Sequence, residues 1–301
     1  MLSLRTVTRT QGNNLALKDG TVTPRGFAFE FEEVPVLVDA FRRMVRKLEF
    51  DVSEMAFTTY LCAKAHGKPI TALPVFLVRG FHHGAIVHSG AVGSPKDLEG
   101  RRVGVNRGYT VTTGVWARGI LADQYGVDLD RVTWVLSGDE HVAEYRPPAN
   151  VVPMAPGGDL ASMVAAGDLA AAIGVGGLDP LIPDATEVAY AALRREGHYP
   201  INHLVVVRDE LAGVAGEVFA AFAEAKRRYV ERLDAIADPT PADLMYRRVQ
   251  EITGADPLPY GIAPNRPMID LLVSHAVRQR ILDRAPVVEE LFAPDTLDLT
   301  A

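Results

Sequence analysis

Strand-like and helix-like patterns alternate along the chain. Leu2–Arg9 and Phe27–Glu33 alternate apolar and polar residues, as half-buried strands do. Val36–Leu48 instead places Val36, Leu37, Ala40, Phe41, Met44, Val45 and Leu48 at helical spacing. Phe50–Met55 reads as a short strand ending in the polar pair Ser53-Glu54, and Phe57–Ala65 as a helix stopped by Gly67 and Pro69. Further strands are predicted at Ile70–Val78, Gly84–His88, Arg102–Val105, Val132–Leu136, Leu169–Val175 and Ile201–Val207. Helices are predicted over Val111–Tyr125, from an Asp159 cap to Ala166, and over Thr186–Arg195. His141–Pro156 is polar and proline-rich and reads as a loop. From Asp209 onward the pattern is mostly helical, broken at Pro239–Pro241 and over Gly254–Pro267.

Such alternation predicts an α/β fold with a mostly parallel sheet covered by helices. A first βα block ends near residue 88, a second follows, and the β-branched run Ile201–Val207 then returns with little strand signal after it. The economical arrangement is two lobes: 1–88 plus 203–301, with 89–202 inserted. Two crossovers are expected, near Val87–Ala91 and His198–His203. Ligands of open α/β sheets bind beyond the carboxyl ends of the strands, so a ligand cleft between the lobes is the expectation.

Bulk composition narrows the classes. The 301 residues are 48% hydrophobic and 23% charged, which argues against wholesale disorder. A net charge of −7 argues against a nucleic-acid partner. Cys62 is the single cysteine, so there is no intrachain disulfide and no cysteine cluster for zinc; a small buried hydrophobe is its plain reading. No run is long and apolar enough to span a bilayer, and residues 1–14 lack a signal-peptide core. Read from Met1, the chain is expected to be cytoplasmic, or periplasmic or extracellular if an export signal was trimmed. The oligomeric state is not legible.

Two strand-to-helix turns carry the candidate binding chemistry. Helix N-termini present unpaired N–H groups that suit anions. The first turn holds Ser53, Glu54, Thr58 and Thr59; the second runs Asn106, Arg107, Gly108, Tyr109, Thr110, Thr112 and Thr113. Gly108 marks a close backbone approach or a positive φ. Plain helix capping is the competing reading of either turn. Glu54 could accept a hydroxyl proton or merely satisfy helix-start N–H groups. His82, His83, His198 and His203 fall near the predicted crossovers and suit acid–base work, or are packed structural residues. Arg79, Arg107 and Arg266 are candidate carboxylate clamps, each equally readable as a surface ion pair. Tyr109 and Tyr260 could stack on a flat ring, whereas Trp116 inside its helix reads as core. Metal-ligand spacing, nucleotide loops and hydrolase elbows do not occur, so neither metal nor organic cofactor is expected.

Five segments carry a family resemblance: FDVSEM (Phe50–Met55), the strand ending VRGFHH (Val78–His83), DLEGRRVGV (Asp97–Val105), VWARGILADQYGVDLDRVTWV (Val115–Val135) and PYGIAPNR (Pro259–Arg266). Together they resemble the 4,5-dihydroxyphthalate decarboxylase family, in order along nearly the whole chain to the tail Leu291–Asp298. The resemblance implies a type 2 periplasmic-binding-protein fold, two α/β lobes with two crossover segments. The chain departs from the family where NRGYTVTTG (Asn106–Gly114) is one residue longer, at His82, and at Gly176-Gly177, leaving fewer fixed cations for a dicarboxylate.

The activity so implied is non-oxidative decarboxylation of a hydroxylated aromatic carboxylate. A base deprotonates a phenolic hydroxyl, an acid protonates the ring carbon that loses CO2, and donors hold another carboxylate. Glu54 or His203 would be the base, His83 the acid, and Arg79 with the Asn106–Thr113 turn the carboxylate cradle. Tyr260 and Arg266 complete the binding candidates. The alternative is a solute-binding protein of a transporter that holds a small anionic or aromatic carboxylate without turnover.

Overall fold

A computed structural model describes residues 2–90 and 92–301. Ala91, at the end of the first predicted crossover, lies outside them, as does Met1. The strands are β1 (Leu2–Val7), β2 (Phe27–Phe31), β3 (Val52–Ala56), β4 (Ile70–Arg79), β5 (Ile86–His88), β6 (Arg102–Val105), β7 (Thr133–Leu136), β8 (Val151–Pro153), β9 (Ala171–Ile173), β10 (Asp179–Pro180) and β11 (Ile201–Arg208). The helices are α1 (Leu15–Lys18), α2 (Leu37–Lys47), α3 (Phe57–Ala65), α4 (Thr112–Tyr125), α5 (Leu160–Ala165), α6 (Ala185–Glu196), α7 (Ala215–Glu231), α8 (Pro241–Thr253) and α9 (Arg266–Arg278).

The chain forms two compact units. The first comprises Met1–Gly80, Ile201–Asp270 and Pro286–Ala301; the second comprises Phe81–Pro200 and Leu271–Ala285. Besides the passages near residues 80 and 200, the segment 271–285 also joins the second unit, which the sequence pattern does not foreshadow.

In the first unit the strand order is β2-β1-β3-β11-β4. β1 pairs in parallel with β2 and β3, and β11 runs antiparallel between β3 and β4. A central position explains the composition of β11: Leu204, Val205, Val206 and Val207 are all fully buried. Its register against β4 shifts on either side of His203. Such irregularities re-aim a side chain, and they recur near functional sites.

The second unit carries a six-stranded sheet, β10-β5-β9-β6-β7-β8. β6 pairs in parallel with β7 and β9, and β7 with β8; β5 pairs antiparallel with β9. The short edge strand Val151–Pro153 falls inside the stretch predicted as loop, because three residues before Met154 are too few to show a period of two.

Local signals set the helix ends. In α2 the residues at helical spacing, Ala40, Phe41, Met44 and Val45, are the buried ones, and Leu48 caps the end at φ 53°. Gly126 ends α4 at φ 65°, a left-handed cap that glycine adopts without a Cβ clash. Asp159 caps α5 by accepting from the Ser162 N–H, and α8 opens with a Thr240–Asp243 capping box and Pro241 in its first turn.

Candidate functional site

The first unit contains a buried carboxylate–imidazole pair. Glu54 does not end its strand, as expected from sequence; Met55 and Ala56 continue β3, and Glu54 is fully buried. A carboxylate in a central strand is costly unless every oxygen is satisfied. Glu54 Oε2 accepts from the Arg9 backbone N–H at 2.9 Å and the Gln11 side-chain amide at 3.4 Å. Oε1 lies 2.6 Å from His203 Nδ1. The register supports this contact: Val205 stands opposite Glu54 in the β3–β11 ladder, so His203, two residues away, shares its face. Because an ionised carboxylate only accepts, the tautomer that satisfies this contact in a neutral ring has the proton on Nδ1 and the lone pair on Nε2. The His203 side chain remains 20% accessible, so the exposed end of the pair is the imidazole.

The neighbouring candidates serve the scaffold. Ser53 is buried and its hydroxyl donates to the Glu54 carbonyl; Thr58 and Thr59 are fully buried in α3. Their side chains therefore do not form an open N-terminal anion site. Arg79 is not an open carboxylate clamp: it is buried, and Nη1 donates to Asn265 Oδ1 at 2.6 Å. Asn265 in turn donates to the Pro259 and Gly261 carbonyls, tying Arg79 to the PYGIAPNR segment. Tyr260 is fully buried, and burial raises its hydroxyl well above the usual tyrosine range, so it offers no accessible ring face. Arg266 pairs with Asp270 and Glu289 on the surface rather than waiting for a ligand.

A cavity of about 960 Å³ opens in this unit between residues 9–21 and 225–246. Its lining includes Arg9 and Gln11, the two residues that hold Glu54 Oε2, together with Tyr229 and Tyr246. The hydroxyl of Tyr229 is committed to Asp243. Tyr246 is buried, and burial pushes its pKa up to about 12. Gly12 is required where the loop passes Tyr229, because a Cβ there would meet the ring at 2.1 Å. Sequence reading passed over Arg9 and Gln11; the available signal was a glycine flanked by amides (Gln11-Gly12-Asn13-Asn14) directly after an alternating strand.

In the second unit the Asn106–Thr113 turn does hold a carboxylate, and it is the chain's own. Glu140 Oε1 accepts from the Tyr109 N–H at 2.5 Å, while Oε2 accepts from the Thr110 N–H at 3.1 Å and the Thr110 hydroxyl at 2.6 Å. The donors assigned to a substrate are thus occupied by a residue thirty positions downstream, which no local pattern marks. Gly108 is a close-approach position, since a Cβ would stand 2.7 Å from Glu140 Oε2. The positive φ falls on Arg107 instead, at 70°, with the side chain exposed. Asn106 ties the turn to β9 through the Ile173 and Gly174 carbonyls, and Thr112 is buried in the first turn of α4 while Thr113 is half-buried. The Tyr109 ring is likewise taken: the buried Arg118 guanidinium lies 3.8 Å from its centroid and donates to the Tyr109 carbonyl.

His83 also belongs to the second unit. It is fully buried at the start of a 3-10 turn, with Nε2 3.0 Å from Gln124 Oε1. Its ring meets that of His198 edge-on, and His198 packs on Trp116. Burial lowers the His83 pKa, so the ring is neutral at neutral pH and a poor reserve of acid protons. Among the described residues no group of three or more His, Cys, Asp or Glu is placed to hold a metal ion. Among the described residues no helix is long and apolar enough to cross a membrane.

Comparison with known proteins gives likenesses of three kinds. A family model described as NMT1/THI5 like matches residues 43–166. The 4,5-dihydroxyphthalate decarboxylase of Comamonas testosteroni is 27% identical over 291 residues, spanning 86% of this chain and 87% of that protein. The Pseudomonas putida protein of the same name is 35% identical over 105 residues, 34% of this chain and 40% of that one. Among solved structures, the Candida albicans CA3427 gene product, described as having the generic periplasmic binding protein structural fold, aligns with a TM-score of 0.51 at 13% identity over 93% of this chain and 96% of that one. The chain therefore has an α/β, two-lobed, periplasmic-binding-protein-like fold, with the chain passing between its two units near residues 80, 200, 270 and 285 rather than at two crossovers only.

Proposed function

We propose, from the resemblance of this chain to the 4,5-dihydroxyphthalate decarboxylase family, which the Comamonas relative supports over most of its length and the Pseudomonas relative over a third, that it catalyses non-oxidative decarboxylation of a hydroxylated, phthalate-like aromatic carboxylate. The observation that carries this reading is the contact between Glu54 and His203. The chemistry requires a base at a phenolic hydroxyl, and an imidazole with Nε2 unprotonated is that base. The buried Glu54 carboxylate fixes the tautomer and stabilises the imidazolium formed when His203 takes the phenolic proton. Of the two sequence candidates, His203 is thus the base and Glu54 its positioning partner.

The remaining steps balance without an oxidant. The phenolate pushes density into the ring, and the ring carbon bearing the carboxylate takes one proton. The bond from that carbon to the carboxylate then breaks, its electrons restore aromaticity, and CO2 leaves. The ring proton comes from solvent, the phenolate left by CO2 loss recovers its proton from the His203 imidazolium, and in sum one proton replaces one carboxylate.

The test is incubation of the purified chain with 4,5-dihydroxyphthalate in D2O, following CO2 and product by mass spectrometry. One deuterium at the vacated carbon is expected, with loss of turnover in His203→Gln. Tight binding of the acid without product would support the transporter-type binding protein instead.

A further inference from the structure

The cavity beside the pair is larger than a one-ring acid requires. At about 960 Å³ it lies at the top of the range of roughly 300–1,000 Å³ that holds drug-sized ligands. Its wall is mainly apolar: Leu15, Ala16, Ala225, Ala235, Ile236 and Ala242 contribute, with the rings of Tyr229 and Tyr246. The Tyr229 hydroxyl is tied off by Asp243, so what Tyr229 offers a ligand is ring surface.

Arg9 and Arg232 are the cationic residues of the cavity lining, which also carries Asp19 and Asp243; Arg9 is the one of these that touches the Glu54–His203 pair. Its backbone N–H is spent on Glu54, but no carboxylate of the described residues pairs with its guanidinium. That guanidinium is close enough to Tyr246 to lower the cost of ionising the phenol. A guanidinium without an anion at the rim of an apolar cavity selects a carboxylate attached to an apolar body. The same residue, with Gln11, anchors the carboxylate that orients His203. The cavity wall therefore touches the pair through the Arg9 backbone and the Gln11 side chain.

We propose that this cavity is the specificity subsite of the Glu54–His203 site, and that its ligand is an aryl carboxylate with an apolar extension beyond a single ring, its carboxylate on Arg9 and its extension against Tyr229, Tyr246 and the Ala235–Ala242 wall. This assignment rests on the decarboxylase reading for the reacting end only. Arg9 takes the role that sequence reading gave to Arg79, which Asn265 occupies.

Calorimetric titration of the full chain tests it with three probes: 4-hydroxybenzoate and its 2-phenyl and 3-phenyl derivatives. At least one phenyl derivative is expected to bind tenfold tighter or better, since a buried phenyl group adds more than that after its ordering cost. Ala235→Trp and Ala242→Trp, both at exposed positions of the wall, should each reduce that gain below threefold while leaving the 4-hydroxybenzoate Kd within twofold. Arg9→Gln should weaken all three probes by about tenfold. The subsite is overturned if neither phenyl group adds affinity, if the gain survives both tryptophan variants, or if Arg9→Gln leaves the Kd values unchanged. The two readings separate cleanly. A phenyl gain that both tryptophans abolish, in a protein that decarboxylates nothing, removes the reaction and keeps the subsite. Decarboxylation with kcat/KM indifferent to all three variants removes the subsite and keeps the reaction.

Discussion

His203 Nδ1 and Glu54 Oε1 stand 2.6 Å apart across the antiparallel β3–β11 ladder, although 149 residues separate them in the chain. Glu54 is enclosed, whereas His203 keeps a fifth of its side chain accessible. This division of burial gives the pair a direction. The carboxylate is the inner partner, and the imidazole is the one that solvent reaches.

The first prediction tests that direction. Glu54→Gln presents Nδ1 with an amide that either accepts or donates, so the tautomer with Nε2 unprotonated is no longer enforced. Decarboxylase kcat is expected to fall by about 10²–10⁴-fold. The double variant with His203→Gln should fall no further than the worse single, because the two act as a unit. Additive losses in the steady-state rates would show that the residues act separately.

A second prediction concerns the Glu140 carboxylate in the Asn106–Thr113 turn. Glu140→Ala leaves two backbone N–H groups and the Thr110 hydroxyl without their acceptor. A buried donor left unmet costs about 1–3 kcal/mol, so a loss of roughly 2–4 kcal/mol is expected once water meets part of the demand. The vacated turn should then accept an added anion. Acetate at high concentration is expected to raise the Tm of the variant and not that of the wild type, by differential scanning calorimetry. Equal response of both proteins would mean that the turn is no anion cradle.

The histidine cluster of the second unit predicts an acid-sensitive stability. Burial is the main cause that lowers His198 and His275 from 6.5 to about 4. For His275, Asp123 opposes this while Arg278 and His198 reinforce it; for His198, His83 reinforces it. Because the unfolded chain takes up these protons first, the stabilising contribution is complete above pH 6.5 and is lost as pH falls from about 6.5 to about 4. The loss is at most on the order of 3 kcal/mol for each ring. Chemical denaturation between pH 7.5 and 4.5 should show the decline, and His198→Gln should flatten it. A slope unchanged in that variant would assign the acid sensitivity elsewhere.

Gly119 sets propensity against packing. It lies inside α4, where alanine would be favoured by about 1 kcal/mol. A Cβ there would meet His275 Nε2 at 2.4 Å, and that ring is buried against Trp116 and contacted by Arg278. Overpacking a fixed ring costs roughly 1–3 kcal/mol, so Gly119→Ala is expected to destabilise on balance. A higher urea midpoint for the variant would contradict this.

Much of the architecture was written in local patterns. Helix α3 at Phe57–Ala65 and strand β6 at Arg102–Val105 begin and end where periodicity and glycine punctuation place them. The apolar stripe of α2 is the face that is buried. Strand Val151–Pro153 escaped because three residues carry no measurable period, and the antiparallel insertion of β11 because strand direction is not a property of the strand's own residues.

The candidate site divides along the same line. Sequence alone placed Glu54 and His203 among the titratable candidates and marked Asn106–Thr113 as a turn rich in donors. Residue type, turn chemistry and helix-start geometry are local, so the chain spells them out. Which donor meets which acceptor is set by strand register and by loops that return from distant positions. Only the tertiary structure could join Glu54 to His203, fill the donor turn with Glu140, commit Arg79 to Asn265 and leave the Arg9 guanidinium without an acidic partner among the described residues. A buried polar group must find its partner wherever the fold brings one, and that requirement acts in space without regard to distance along the chain.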